Sequence, residues 1–241
     1  MDSLFANPKV FLLATLSGVL PAILWLWFWI HQEDSEKSEP RGLIFLSFLI
    51  GAITVLVAIS LEKFSAGLIH NHSLQILTWA SIEEILKLLA VCIVIFSTNE
   101  VERPIDYPMY FIAVALGFAA LENVLFLIKP LSVEGTTIVG LITGNLRFLG
   151  STLLHSIASG MIGSAIGLAL WRSPFTKKIY LFMGLIAAIS LHTVFNFFII
   201  EGAGANFIQV FGFLWIVAII NILIFEKLKR MGRTEEVRPM H

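Results

Sequence analysis

Three glutamates and two histidines stand in apolar runs where charge is rarely tolerated. Glu83 and Glu84 share SIEEILKLLA with Lys87, and Glu122 precedes Asn123 in GFAALENVLFL. His155 lies in STLLHSIASG, and His192 stands one turn before Asn196 in SLHTVFNFF. A charged side chain near the centre of a bilayer costs about 2.5–3.5 kcal/mol on insertion scales, so each needs a reason to be there. Carboxylates and imidazoles can take a proton from water, and imidazole or amide N–H groups can donate to an oxyanion; amide hydrolysis requires both. Two histidines with one carboxylate are also a zinc set that leaves a position open for water. The same groups would serve as a proton or ion relay in a transporter.

The elements that must position these residues are membrane helices. Of 241 residues, 57% are hydrophobic and 14% charged, and the mean hydropathy is +0.88. Soluble domains carry about 45–50% apolar and 25% charged residues. The chain is therefore expected to be all-α and polytopic, one transmembrane domain over residues 1–241 embedded in the lipid bilayer. A net charge of −1 leaves no footprint for nucleic acid or for a polybasic surface anchor. The one cysteine, Cys92, excludes an intrachain disulfide, and Arg238-Pro239-Met240-His241 carries no prenylation motif.

Seven apolar stretches reach the roughly 17–25 residues of a spanning helix, near 10–30, 42–61, 74–97, 107–128, 146–170, 179–200 and 205–225. The first ends in Trp25, Trp27, Phe28 and Trp29, which reads as an aromatic belt at an interface rather than the end of a cleaved signal peptide. Residues 62–73 read as a short interfacial segment. Seven spans put Lys37, Arg41, Arg103, Arg172, Lys177, Lys178 and the basic residues from Lys227 to Arg238 on one side, against Lys9, Lys63 and Lys129 on the other. The positive-inside rule then places the N-terminus outside and the C-terminus in the cytoplasm of a cell (inner) membrane.

Counted from the outer helix ends, Glu83 and Glu84 lie about ten residues in, Glu122 about six, His155 about nine and His192 about eight. At 1.5 Å per residue the spread is about 6 Å, so four helices bring acids and imidazoles to one layer in the outer half of the membrane. On the helical wheel Lys87 falls between the two glutamates, one turn further on. Singly, each residue has a packing explanation: a Glu83–Lys87 ion pair, an interhelical hydrogen bond from Glu122 or Asn123, a satisfied core histidine. A packing role does not require three acids and two imidazoles in one layer. The small-residue stripe Ser151, Ser159, Gly163 and Gly167, with Ser156, Gly160 and Ser164, reads instead as close helix packing. The first, second and seventh spans, without ionisable residues in their apolar runs, read as scaffold. A transporter would show internal repeats and helices broken at mid-membrane, whereas no repeat is present and Pro21 is the one proline well inside a span. A serine protease built on Ser159 and His192 has Ile157 where a G-x-S-G motif wants glycine, and leaves the glutamates without a role.

The set Glu83-Glu84-x-x-Lys87, Phe118-Ala119-x-x-Glu122-Asn123, His155 and His192, in that order over residues 74–200, resembles the PrsW family of intramembrane proteases. That family belongs with the CAAX prenyl proteases and bacteriocin-immunity proteins in one superfamily. CAAX-type members are similar to E-E-x-x-x-R in the first motif; here Lys87 stands one position earlier and Leu88 takes the arginine's place. The departure favours the PrsW branch and argues against prenylated substrates. The resemblance implies hydrolysis of single-span membrane proteins such as anti-sigma factors, cut near the outer side as the first step of regulated proteolysis. By position it implies Glu83 and Glu84 as the catalytic acid pair, completed by Glu122, His155 and His192. Asn196 matches the asparagine of an H-x-x-x-N motif, and Lys87, Asn123 and Arg147 are supporting residues. Two chemistries stay open. In the first, which needs no cofactor, Glu84 or Glu83 assisted by His155 activates water, Glu84 being preferred, while His192 and Asn196 donate to the oxyanion. In the second, Zn2+ is held by His155, His192 and either Glu84 or Glu122; since H-E-x-x-H is absent, the ligands come from separate helices.

Overall fold

The computed structural model describes residues 8–32, 40–98, 100–131, 138–201 and 207–236. They form seven helices: α1 (Pro8–Gln32), α2 (Arg41–Ala66), α3 (His72–Phe96), α4 (Asp106–Leu131), α5 (Ile138–Leu168), α6 (Pro174–Glu201) and α7 (Phe207–Glu236). No strand occurs among the described residues. Six of the seven are long and apolar enough to cross a membrane. The exception, α3, is 25 residues long but carries Glu83, Glu84 and Lys87 at its middle, all three buried against its neighbours.

Local chemistry starts and stops these helices. Asn71 caps α3, its side chain accepting from Leu74 N at 3.0 Å. Asp106 opens α4 by accepting from Glu102 N and Arg103 N at 3.0 and 2.6 Å and pairing with Arg103 Nε at 2.9 Å. Ser173 caps α6 ahead of Pro174, with Thr176 N donating to its hydroxyl at 3.3 Å. Within the spans, Ser47, Thr54, Thr78 and Thr193 return their hydroxyl protons to the carbonyl one turn back, so these polar groups carry no hydrogen-bonding cost in an apolar surrounding.

Burial ranks the helices. The apolar window of α4 is 78% buried and that of α5 72%, against 17–28% for α1, α2, α6 and α7. The bundle is thus a central α4–α5 pair wrapped by helices that turn leucine, isoleucine and phenylalanine outward, as a lipid solvent permits. Backbone approach fixes α2 against α4. A methyl group at Gly51 would collide with the Val114 carbonyl, and one at Gly117 with the Phe48 carbonyl. Such crossings bring backbones together where side chains would hold them apart. Gly163 and Gly167 do the same for α5 against the backbone of Pro108 and Pro104, as the stripe on that helix indicates.

Several boundaries differ from the sequence reading: α5 starts at Ile138 rather than near 146, and α6 at Pro174 rather than near 179. Residues 62–66 continue α2 rather than opening an interfacial segment, because the stripe Ile44, Ser47, Gly51, Val55 and Ala58 buries one helix face that runs on through Ser65. The last helix extends to Glu236. At 1.5 Å per residue it is about 45 Å long, and its basic last turns project past an apolar core of about 30 Å.

Leucine at Gly51 or at Gly117 is expected to lower stability by about 1–3 kcal/mol or more, read as a fall in thermal midpoint in detergent. Gly42→Ala, where nothing lies within 4 Å of the new methyl, is expected to stay within about 0.5 kcal/mol of wild type.

Candidate active site

Lys87 sits at the centre of the polar cluster. Its Nζ donates to Glu84 Oε1 at 2.7 Å, to Glu83 Oε2 at 3.4 Å and to His155 Nδ1 at 2.7 Å. It also lies 4.3 Å from the centroid of the Phe118 ring, a cation–π contact. The i,i+3 and i,i+4 spacing places both glutamates over the ammonium on one helix face. Glu83, Glu84, Lys87, His155 and His192 are all buried.

Hydrogen bonding fixes the ring of His155. An ammonium only donates and a carboxylate only accepts. His155 Nδ1 therefore accepts from Lys87, and Nε2–H donates to Glu122 Oε2 at 2.8 Å. His192 donates from Nδ1 to Glu84 Oε1 at 2.9 Å. The two rings stand edge to face, 4.9 Å apart at 87°. Each histidine thus has one nitrogen bound to a carboxylate. The other nitrogens, His155 Nδ1 and His192 Nε2, lie 3.8 and 3.9 Å from the same atom, Glu83 Oε2.

That convergence also supplies a test for a metal. Glu83, His155 and His192 can each offer one ligand atom within 4.8 Å of the others. Zinc bonds of about 2.0–2.2 Å at tetrahedral angles put ligand atoms about 3.3–3.6 Å apart; Glu83 Oε2 is within a few tenths of an ångström of that spacing from each ring nitrogen, and all three donors lie within 4.8 Å of one another. Metal-bound histidines usually give their second N–H to a carboxylate, as Glu122 and Glu84 are placed to provide here. The residues fit an ion once Lys87 leaves His155 Nδ1 for Glu84. The carboxylate that lies near the inward nitrogens of both rings is Glu83. Glu84 and Glu122, the carboxylates considered for zinc from sequence, sit instead behind the two rings.

The remaining site candidates are not all drawn in. Asn123 donates to Thr152 Oγ1 at 3.0 Å and ties α4 to α5 rather than joining the acids. Asn196 is half-buried, and its side chain makes no hydrogen bond among the described residues. Arg147 lies on α5, but its side chain falls outside the described residues. Ser159 departs from the packing role assigned to its stripe: its hydroxyl donates to Glu84 Oε2 at 3.2 Å, which gives both oxygens of Glu84 partners.

Glu62 is the residue the sequence reading missed. It interacts with the Glu83 side chain and lies near Glu122, so α2 is not pure scaffold. Its signal was the stripe 44, 47, 51, 55, 58, which reaches 62 at helical spacing. With the span ended at residue 61, Glu62 fell in the interfacial segment 62–73. Glu62 is half-buried, and 17% of the Glu122 side chain is exposed against 6% for Glu83 and none for Glu84. The α2–α4 side is therefore where the described part of the cluster meets its surroundings.

A family model described as PrsW family intramembrane metalloprotease matches residues 39–223. Protease PrsW of Shouchella clausii is 25% identical over 221 residues, covering 90% of this chain and 96% of that protein. Protease PrsW of Oceanobacillus iheyensis is 26% identical over 212 residues, covering 86% and 93%. The Bacillus subtilis protein of that name is 25% identical over 185 residues, covering 75% and 80%. No solved structure matches the chain.

Lys87→Met is expected to cost about 3–5 kcal/mol, because it strands a carboxylate that has no other cation among the described residues. Adding Glu84→Gln to Lys87→Met should recover part of that loss. Thermal midpoints of the two single variants and the double variant measure the coupling; additive losses would show that the pair does not hold the helices.

Proposed function

We infer the chemistry of this chain from the premise that it belongs to the PrsW family of intramembrane metalloproteases. It is a peptidase, a multi-pass protein of the cell membrane that acts on membrane proteins within the bilayer. The proposed substrate is a single-span protein of the anti-sigma-factor kind, cut near the outer face. The asymmetry of basic residues supports an outside N-terminus, and with it the placement of the acid and histidine layer in the outer half.

The observation that carries the mechanism is the convergence of His155 Nδ1 and His192 Nε2 on Glu83 Oε2. These three atoms would hold a zinc ion, which when bound supplies Lewis acidity toward the scissile carbonyl and the attacking water. Glu122 keeps the proton on His155 Nε2 and Glu84 keeps it on His192 Nδ1, so both inward lone pairs face the reaction centre. Glu84 orients rather than acting as the base, since Lys87, His192 and Ser159 occupy its oxygens. Glu62, half-buried and bonded to no ring nitrogen among the described residues, takes the proton of the attacking water and returns it to the leaving amine. The half-buried amide of Asn196, one turn after His192, donates to the oxyanion.

One observation favours a second, metal-free reading. Lys87 Nζ sits 2.7 Å from His155 Nδ1, on the nitrogen an ion would need. In that reading Glu83 Oε2, flanked by both rings, is the base, and Lys87 remains the cation of the site.

Cleavage of a single-span reporter in proteoliposomes, read beside metal content per chain, separates the two. The metal reading expects about one zinc per chain in wild type, lost in His192→Ala. It expects no cleavage by Glu83→Gln, and a loss of about 10–100-fold in Glu84→Gln and Glu122→Gln. A zinc-free chain that cleaves at the wild-type rate moves the assignment to the metal-free reading. An inactive Glu84→Gln beside an active Glu83→Gln restores Glu84 as the base.

A further inference from the structure

Lys87 uses every proton it has. An ammonium can donate three hydrogen bonds, and Nζ meets Glu84 Oε1 at 2.7 Å, His155 Nδ1 at 2.7 Å and Glu83 Oε2 at 3.4 Å. The side chain has no exposed surface, so solvent does not share these partners. Two of the three, His155 Nδ1 and Glu83 Oε2, belong to the set of atoms that converge as metal donors. The third, on Glu84, does not.

At those two atoms an ammonium and an ion exclude each other. The accepting nitrogen of a neutral imidazole has one lone pair in the ring plane, which serves either an N–H or a metal. Space gives the same answer. His155 Nδ1 and Glu83 Oε2 are 3.8 Å apart, with Nζ at 2.7 and 3.4 Å from them. An ion bonded to both at about 2.0–2.2 Å would lie within about 3.5 Å of Nζ where it stands. Like charges at that distance repel strongly in a buried setting.

The ammonium has a second position within the same cluster. Glu84 holds it at i,i+3 spacing, and Glu84 is itself fixed from α5 and α6 by Ser159 and His192. The face of Phe118 lies 4.3 Å away. Glu62 and Glu122 are also close enough to act on its charge, so the acids can accommodate an ammonium and a divalent ion together. A lysine suits two positions, being a compact charge on a flexible stem where arginine is a planar fork.

We propose that Lys87 is an internal competitor for the metal. Its ammonium holds His155 Nδ1 and Glu83 Oε2 in the metal-free chain and releases both when an ion binds, turning onto Glu84 and the Phe118 face with its three protons retained. The metal-free bundle stays folded around the ammonium, and zinc affinity is lower than the three donors alone would give. The proposal rests on the metal reading above and adds the regulation of that site: loading is an exchange of one cation for another.

Zinc titration of the full chain, stripped of metal in mild detergent and read against a chromophoric chelator, measures the exchange. Lys87→Met is expected to bind zinc about 10–100-fold more tightly than wild type, the equivalent of one hydrogen bond to a charged group. Zinc is also expected to raise the thermal midpoint of Lys87→Met by more than that of wild type. Wild type provides a readout without substitution. Solid-state NMR with isotope-labelled lysine, histidine and glutamate is expected to show a contact between Lys87 Nζ and His155 Nδ1 that zinc abolishes, while Nζ keeps its contact with the Glu84 carboxylate. Where Lys87→Met does not fold, this contact alone decides. Equal or weaker zinc affinity in folded Lys87→Met, or a Lys87–His155 contact that is absent before zinc or survives it, overturns the proposal and leaves the metal reading standing. Failure of both chains to bind zinc overturns the two together.

Discussion

A single buried ammonium holds the centre of this protein together. Three carboxylates and two imidazoles inside a bundle of apolar helices would be a severe desolvation cost if left to themselves. Lys87 meets two of the acids on its own helix and one imidazole on another, so α3 carries most of the compensating charge it needs. That is why a helix too charged to count as a spanning segment by composition can nevertheless sit against α2, α4, α5 and α6 with its polar face buried. The arrangement also explains the Phe118 ring beside the ammonium: the face of an aromatic ring is one of the few apolar surfaces that attracts a cation.

From that centre, order passes outward through the histidines. His155 is held at both nitrogens and His192 at one, with the other aimed inward, and each ring takes a carboxylate from a different helix. Glu122 of α4 sets the ring from α5, and Glu84 of α3 sets the ring from α6. A site made this way depends on helix packing being right to within a few tenths of an ångström. The glycine crossings supply that precision: α2 meets α4 at backbone contact through Gly51 and Gly117, and this brings the face bearing Glu62 to the acids. The most buried helices, α4 and α5, are the two that carry Glu122, His155 and Ser159. Position and rigidity are thus provided by the same elements.

Much of this was legible in the residues themselves. Glu83, Glu84, Glu122, His155 and His192 stood out because a bilayer penalises charge, and counting residues from the helix ends put them in one layer. The relation of Lys87 to both glutamates followed from 100° per residue. Three features were not legible. Ser159 looked like one member of a packing stripe, since a hydroxyl bonding a carboxylate on another helix leaves no periodic trace. Glu62 was hidden by a helix end placed five residues early, where hydropathy falls although the buried stripe continues. Trp29 read as part of an interfacial belt, while its burial against Phe225 depends on how α7 crosses α1.

Composition and hydropathy alone determined that the chain is a helical membrane protein with an acid and histidine layer across four helices, because partition into lipid depends on residue type and run length and hardly on packing. Pairing was decided by the tertiary structure. Whether Glu83 or Glu84 faces both ring nitrogens, which carboxylate stands behind which histidine, and which atom Lys87 occupies are differences of one or two ångströms between groups of the same chemical type. Helix periodicity places a side chain on a face; only the crossing of one helix over another selects the atom it meets.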